Sequence, residues 1–205
     1  MVYYECMKFV SLGNPEDVVS FQEALSRGIP PDGSLYYPVE IPRLSAEQIA
    51  SLPSLDTKAI DQLILTAWLG DEIPADDLMA IVDRAATFET PCVEVADKHV
   101  LELFHGPTMA FKDVAARYLA ALMGYFNAKT GRTSTVLVAT SGDTGGAIAH
   151  GFGDVERTKV VVLYPKGRVS QLQQEQLRRV AANVQTLEVD GDFDACQALV
   201  KQALA

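Results

Sequence analysis

Tryptophan occurs once and cysteine three times in 205 residues. Cys6, Cys92 and Cys196 are odd in number and widely spaced. That excludes the disulfide framework of a small secreted domain and gives no zinc-ligand pattern. Thiols used this sparingly suit a reducing compartment, so the cytoplasm is expected. There is no run of about 18 apolar residues, so no membrane-spanning helix is expected. The start, Met1-Val2-Tyr3-Tyr4-Glu5, lacks the basic flank and apolar stretch of a secretion signal. Positive charge is also in short supply: 17 Lys and Arg stand against 27 Asp and Glu, a net charge of −10. An acidic chain repels phosphate backbones, which argues against a nucleic-acid partner but leaves room for local cationic pockets. His99, His105 and His150 show no metal-ligand spacing, and only His105 sits in a segment that looks like a site. What is present is ordinary globular material, 48% hydrophobic and 21% charged, enough for one large domain or two small ones.

Two grammars follow each other along the chain. Residues 1–90 read as a mainly helical domain, opened by a strand within 2–10. Ser20 with Glu23 and Ser45 with Gln48 are helix-start signatures, Gly28 is a stop, and Pro30-Pro31-Asp32-Gly33 is a turn. Ile60, Leu63, Ile64, Ala67 and Trp68 recur at helical spacing between Asp56 and Gly70. Pro74 suits the first turn of a further helix with Leu78, Ile81, Val82 and Ala85 on one face. From 91 to 205 strand and helix alternate. Strands are predicted at 92–96, 99–104, 135–140, 159–164 and 184–189, with helices over 112–128, to about His150, from Ser170 and from Asp192. The last helix places Phe193, Cys196, Leu199, Val200 and Ala203 on one apolar face. The fold class is therefore α/β: a mainly helical region, then a doubly wound parallel sheet with ligands at the carboxyl ends of its strands.

Three segments carry chemistry. The first is Leu103-Phe104-His105-Gly106-Pro107-Thr108-Met109-Ala110-Phe111-Lys112-Asp113. Lys112 begins a helix on the face of Ala115, Ala116, Leu119 and Met123, while Asp113 lies on another face with Arg117 at i+4 as a pairing partner. An amine on an apolar face at a helix start is placed to attack an aldehyde and form a Schiff base. The alternative is a lysine that snorkels to water. The second segment, Thr140-Ser141-Gly142-Asp143-Thr144-Gly145-Gly146, joins a buried strand to a helix. Its small residues admit a ligand to helix N-terminal amides, and an equal reading is a tight turn capped by Asp143 or Thr144. It is neither a P-loop nor a dinucleotide fingerprint. It differs by one residue from a serine-protease motif, with Thr144 in place of the nucleophile. It also contains the Asp-Thr-Gly of aspartic proteases, which need a second copy this chain lacks. The third segment, Tyr164-Pro165-Lys166-Gly167-Arg168-Val169-Ser170, is either an anion cradle or a solvated basic loop.

These segments resemble the bacterial- and fungal-type threonine synthases, which are fold-type II pyridoxal-phosphate enzymes. The likeness extends through Leu163-Tyr164-Pro165-Lys166-Gly167, Asp190 to Gln197, Val19 to Ala24 and Pro31 to Tyr36. It implies conversion of O-phosphohomoserine and water to threonine and phosphate, the last step of threonine biosynthesis. Lys112 would hold pyridoxal phosphate and, once freed by the substrate, shuttle protons. Ser141, Gly142, Asp143 and Thr144 would receive the substrate carboxylate. Asp143 would also lie near the cofactor ring, and Lys166 and Arg168 would face the substrate phosphate. Members run to about twice this length, and their Gly-Asn-Phe-Gly type loop, which holds the cofactor phosphate, has no counterpart here. The expectation is thus an N-terminal half: a domain over 1–90 and a partial cofactor and substrate domain over 91–205, inactive without the remainder. Alternatives are another fold-type II amino-acid lyase, or a non-catalytic acidic binding module on the same fold. No sequence feature indicates an oligomeric state.

Overall fold

The computed structural model describes residues 7–178 and 181–204, and the chain divides into two units between Asp83 and Arg84. In the first unit β1 (Lys8–Ser11) is central to an antiparallel sheet, flanked by β2 (Val18–Ser20) and β3 (Tyr36–Pro38). Cys6 and the start of the strand expected over 2–10 lie outside the described residues. The rest of the unit is mainly helical, as expected, and the small sheet is added to it. β2 and β3 have three residues each, too few for alternation to register, and pairing to β1 alone defines them.

The helix signals hold with one exchange of partners. Ser20 Oγ accepts from Glu23 N–H at 3.2 Å to start α1 (Phe21–Arg27), and Gly28 closes it at φ 69°. The Glu23 carboxylate turns instead to Arg27, at 2.8 Å. The first two amides of α1, on Phe21 and Gln22, donate to the carboxylate of Glu72 at 2.9 and 3.1 Å. A distant acid thus serves the positive end of the helix. Ser45 and Gln48 form a complete reciprocal cap on α2 (Ala46–Ser51). Asp56 caps α3 (Thr57–Leu69). On α4 (Ala75–Ala85) the residues Leu78, Ile81, Val82 and Ala85 are all buried, as their spacing predicts.

Asp32 gathers hydroxyls in this unit. The Ser11 hydroxyl first, then Ser34 through its side chain and amide, hold the Asp32 carboxyl below the usual range. A carboxyl depressed on folding adds stability that is present above its ordinary value, about pH 4, and is lost as pH falls through the lowered value. Acid unfolding of Asp32→Asn should accordingly show a shallower loss of stability below about pH 4 than the parent. Superimposable profiles would exclude this linkage.

The second unit begins with a hairpin, β4 (Cys92–Val95) and β5 (Lys98–Leu101), in register from Cys92↔Leu101 to Val95↔Lys98. β5 ends three residues before the 104 expected, because 102–111 is given over to a loop. That loop leads into α5 (Lys112–Thr130), which Gly131 closes in the left-handed region at φ 70°. Three parallel strands follow, β6 (Ser134–Ala139), β7 (Thr158–Pro165) and β8 (Val184–Val189), in the order β6-β7-β8. They alternate with α6 (Asp143–Phe152), α7 (Gln171–Arg178) and α8 (Phe193–Leu204).

Both crossovers step the same way along the sheet, so the right-handed rule places α6 and α7 on one face. There they pack on each other, and α5 packs on α6. Phe152, Val160, Val162, Tyr164 and Leu177 form the core on this side. Gly151 permits the close approach of α5: a Cβ there would lie 3.1 Å from the Ala116 backbone. α8 crosses β6 and β7 instead, with Cys196 fully buried beneath it and outside that cluster, so the winding reverses. Burial pushes the Cys196 thiol up, away from the thiolate. Of the face predicted on α8, Phe193 and Val200 are half-buried while Leu199 and Ala203 are exposed.

Polar staples lock the amino ends of the strands. Asn183 Nδ2 donates to the Phe152 carbonyl at 2.8 Å and its Oδ1 accepts from Asp154 N–H at 3.0 Å. Asn127 joins Arg157 O to the Ser134 hydroxyl. The carboxyl ends are left to irregular loops. In sheets of this winding the ligand crevice lies at those ends, where the winding reverses, which here is the end of β6. Among the described residues no helix is long and apolar enough to cross a membrane.

Candidate active site

The lysine loop is held from below by a buried acid. Asp113 is 1% exposed; its Oδ2 accepts from Thr108 N–H at 2.8 Å and its Oδ1 from the Thr108 hydroxyl at 2.7 Å. Gly106 is required here, because a Cβ would lie 2.5 Å from Asp113 Oδ2. Met109, at φ 60°, donates to Gly106 O to close the turn. Lys112 therefore begins α5 from a fixed base. Its side chain is half-buried, and its Nζ lies 4.3 Å from the Phe111 ring centre. Among the described residues it has no hydrogen bond and no ion pair.

One expectation for this segment needs correction. Asp113 does not pair with Arg117, which donates to the carbonyls of Ala85 and Arg84 at 2.9 and 3.0 Å. Along the apolar helical face of Lys112, Ala116 is buried, Leu119 and Met123 are half-buried and Ala115 is exposed. His105 pairs with Glu102 at 2.7 Å and packs on Phe104 at 4.7 Å, out on the loop.

The turn from β6 to α6 is capped by neither Asp143 nor Thr144. Thr140, 1% exposed, accepts from Gly142 N–H at 2.9 Å and Gly145 N–H at 2.8 Å through its hydroxyl. A threonine closing a buried strand before a glycine turn is the signal that could have revealed this, since a buried hydroxyl needs partners. Gly142 sits at φ 143°, ψ −82°, a conformation open to glycine. With Gly145 N–H taken by Thr140 and Gly146 N–H by Gly142 O, the amides of Asp143 and Thr144 have no partner among the described residues. They form the positive end of α6. Ser141 and Asp143 are exposed and Thr144 is half-buried. The two loops adjoin, for a Cβ on Gly146 would lie 3.9 Å from Thr108 Cγ2.

Lys166 and Arg168 follow β7, at the same end of the sheet. Lys166 N–H donates to Val189 O, and Arg168 N–H closes a turn onto Pro165 O around Gly167 at φ 67°. Both side chains are exposed and without an ion pair among the described residues. A residue absent from the sequence reading, Gln173, joins α7 to this end: its Nε2 donates to Asp143 Oδ1 at 2.7 Å.

A free lysine amine at a helix start and a glycine-rich βα turn with unpaired amides are the groups that carbonyl chemistry and anion binding call for. Residues 86–205 match the pyridoxal-phosphate dependent enzyme family, and the chain belongs to it. Residues 8–86 match the threonine synthase N terminus.

Its relatives are threonine synthases. That of Escherichia coli (strain K12) is 42% identical over 198 residues, covering 96% of this chain and 46% of that protein. That of Buchnera aphidicola subsp. Baizongia pistaciae is 40% identical over 199 residues, with the same coverage. The crystal structure of pyridoxal-phosphate-bound threonine synthase from Brucella melitensis superposes with a TM-score of 0.87 at 44% identity, covering 96% of this chain and 44% of that one. The chain thus spans about half the length of the curated relatives it matches. The donor set fits the cofactor's aldehyde end, since Lys112 offers an amine with no acid bound to it among the described residues, and the adjoining turn offers the amides of Asp143 and Thr144.

Proposed function

We propose that this chain forms the N-terminal portion of a threonine synthase that converts O-phosphohomoserine and water to L-threonine and phosphate. The observation that carries the reading is Lys112, unpaired among the described residues at the end of a loop that Asp113 locks and whose Thr108 adjoins Gly146 of α6. The first unit is the family's N-terminal domain, and the second supplies the lysine and the substrate's carboxylate site. When bound, pyridoxal phosphate supplies an electron-withdrawing ring that stabilises an electron pair on the substrate's α-carbon.

Lys112 would hold the cofactor through its amine, and the same amine would move protons on the substrate carbons as phosphate leaves and water adds. The free amides of Asp143 and Thr144, with Ser141 and Gly142, receive the substrate carboxylate. Asp143 would be among the residues that hold the cofactor. We assign the grip on the cofactor phosphate to the part of the family's length that these residues do not span. The cytoplasm suits the free thiols of Cys92 and Cys196. The reading is tested by supplying phosphohomoserine, serine or threonine to the full-length holoenzyme. Release of threonine and phosphate from phosphohomoserine alone supports it, and deamination of serine or threonine instead points to another lyase of the fold.

Lys166 and Arg168 are assigned to the substrate phosphate. Since that contact exists before reaction as well as during it, Lys166→Ala or Arg168→Ala should raise KM for phosphohomoserine about tenfold with kcat little changed. An unchanged KM in both variants would leave them a solvated loop.

A further inference from the structure

The start of α6 holds a conflict of charge. Asp143 is its first residue, and an aspartate there readily turns its carboxylate onto backbone amides one to three residues ahead. Those amides are what a substrate carboxylate needs. Yet the Asp143 side chain caps no amide of its own helix. Its Oδ1 is held at 2.7 Å by Gln173 Nε2.

Gln173 is itself fixed. Its Oε1 accepts from Ser170 N–H at 2.9 Å and its N–H donates to Ser170 Oγ at 3.2 Å, a reciprocal cap at the start of α7. The side chain also lies over Gly142, where a Cβ would come within 2.3 Å of Nε2. Glycine at 142 therefore makes room for the glutamine as well as for the turn.

We propose that Gln173 is a positioning residue that holds the Asp143 carboxylate off the α6 amides and so keeps the carboxylate site open. This rests on the reading of that turn as the substrate site. Two properties of one side chain can be separated experimentally. Gln173→Glu keeps the cap on Ser170, because the retained oxygen accepts and the backbone N–H is unchanged, but it has no hydrogen to donate to Asp143 and repels it. Adding Asp143→Asn restores the contact with its polarity reversed, the new amide at position 143 donating to the new carboxylate at position 173.

The test is calorimetric titration of L-threonine into the full-length holoenzyme of the parent, both single variants and the double variant. Gln173→Glu should weaken threonine binding about tenfold, the effect of one hydrogen bond to a charged group, with the unfolding temperature unchanged. The double variant should recover to within about threefold of the parent, a coupling that loss of α7 capping could not produce. Parent affinity in Gln173→Glu, or no recovery in the double variant, overturns the inference alone. A parent that does not bind threonine overturns it together with the functional reading.

Discussion

Lys112→Ala is expected to abolish threonine formation in the full-length enzyme, by on the order of a thousandfold or more. It should also remove the absorption band that borohydride bleaches, because no other amine stands ready to hold the cofactor's aldehyde at the start of α5. The fold should tolerate the change. The lysine takes part in no hydrogen bond or ion pair among the described residues, and its ring contact with Phe111, at 4.3 Å, is between chain neighbours. Such a contact at a partly exposed position is worth about 0.5–1 kcal/mol. Absorbance and unfolding measured on one preparation decide the matter: a variant that unfolds like the parent yet keeps a reducible adduct would show that another group holds the cofactor.

Asp113→Ala should do the opposite, striking the fold first and the chemistry through it. Removing the carboxylate strands the Thr108 amide and hydroxyl in a buried setting, at about 1–3 kcal/mol each. The loss, on the order of 3–5 kcal/mol, should lower the unfolding temperature by about 10 °C or more. Lys112 then loses its fixed base, so the surviving folded protein should retain cofactor poorly. Arg117→Ala provides the contrast. Its guanidinium donates to the carbonyls of Ala85 and Arg84. The two losses should therefore add to within about 0.5 kcal/mol, as for sites with no shared partner. Strong coupling in the double variant would restore the helical Asp113–Arg117 pair that the sequence spacing predicts.

That disagreement shows where a linear reading stops. The i,i+4 spacing of Asp113 and Arg117 is a local pattern, and in an isolated helix it would draw the two together. In the folded chain α5 lies with Asp113 inward, so the acid takes the nearer buried donors of Thr108 and the arginine reaches the backbone at 84–85. Glu23 repeats the lesson: its spacing from Ser20 fits a capping box, but Arg27 takes the carboxylate and Glu72 serves the helix start.

Features written within a few residues were legible in the sequence alone. The capped starts at Ser20 and Ser45, the glycine stops, the buried face of α4 and the strand–helix alternation after 91 all follow from periodicity and turn chemistry. Their physics is local, since a helix cap or an amphipathic face is decided by neighbours in the chain. The tertiary structure alone decided which donors meet which acceptors across it. It made β2 and β3 strands by pairing them to β1, and gave the α6 turn to Thr140 rather than to Asp143. It brought Gln173 to Asp143 across 30 residues. Such partners are selected by which groups burial leaves unsatisfied, and that is settled only when distant segments close on one another.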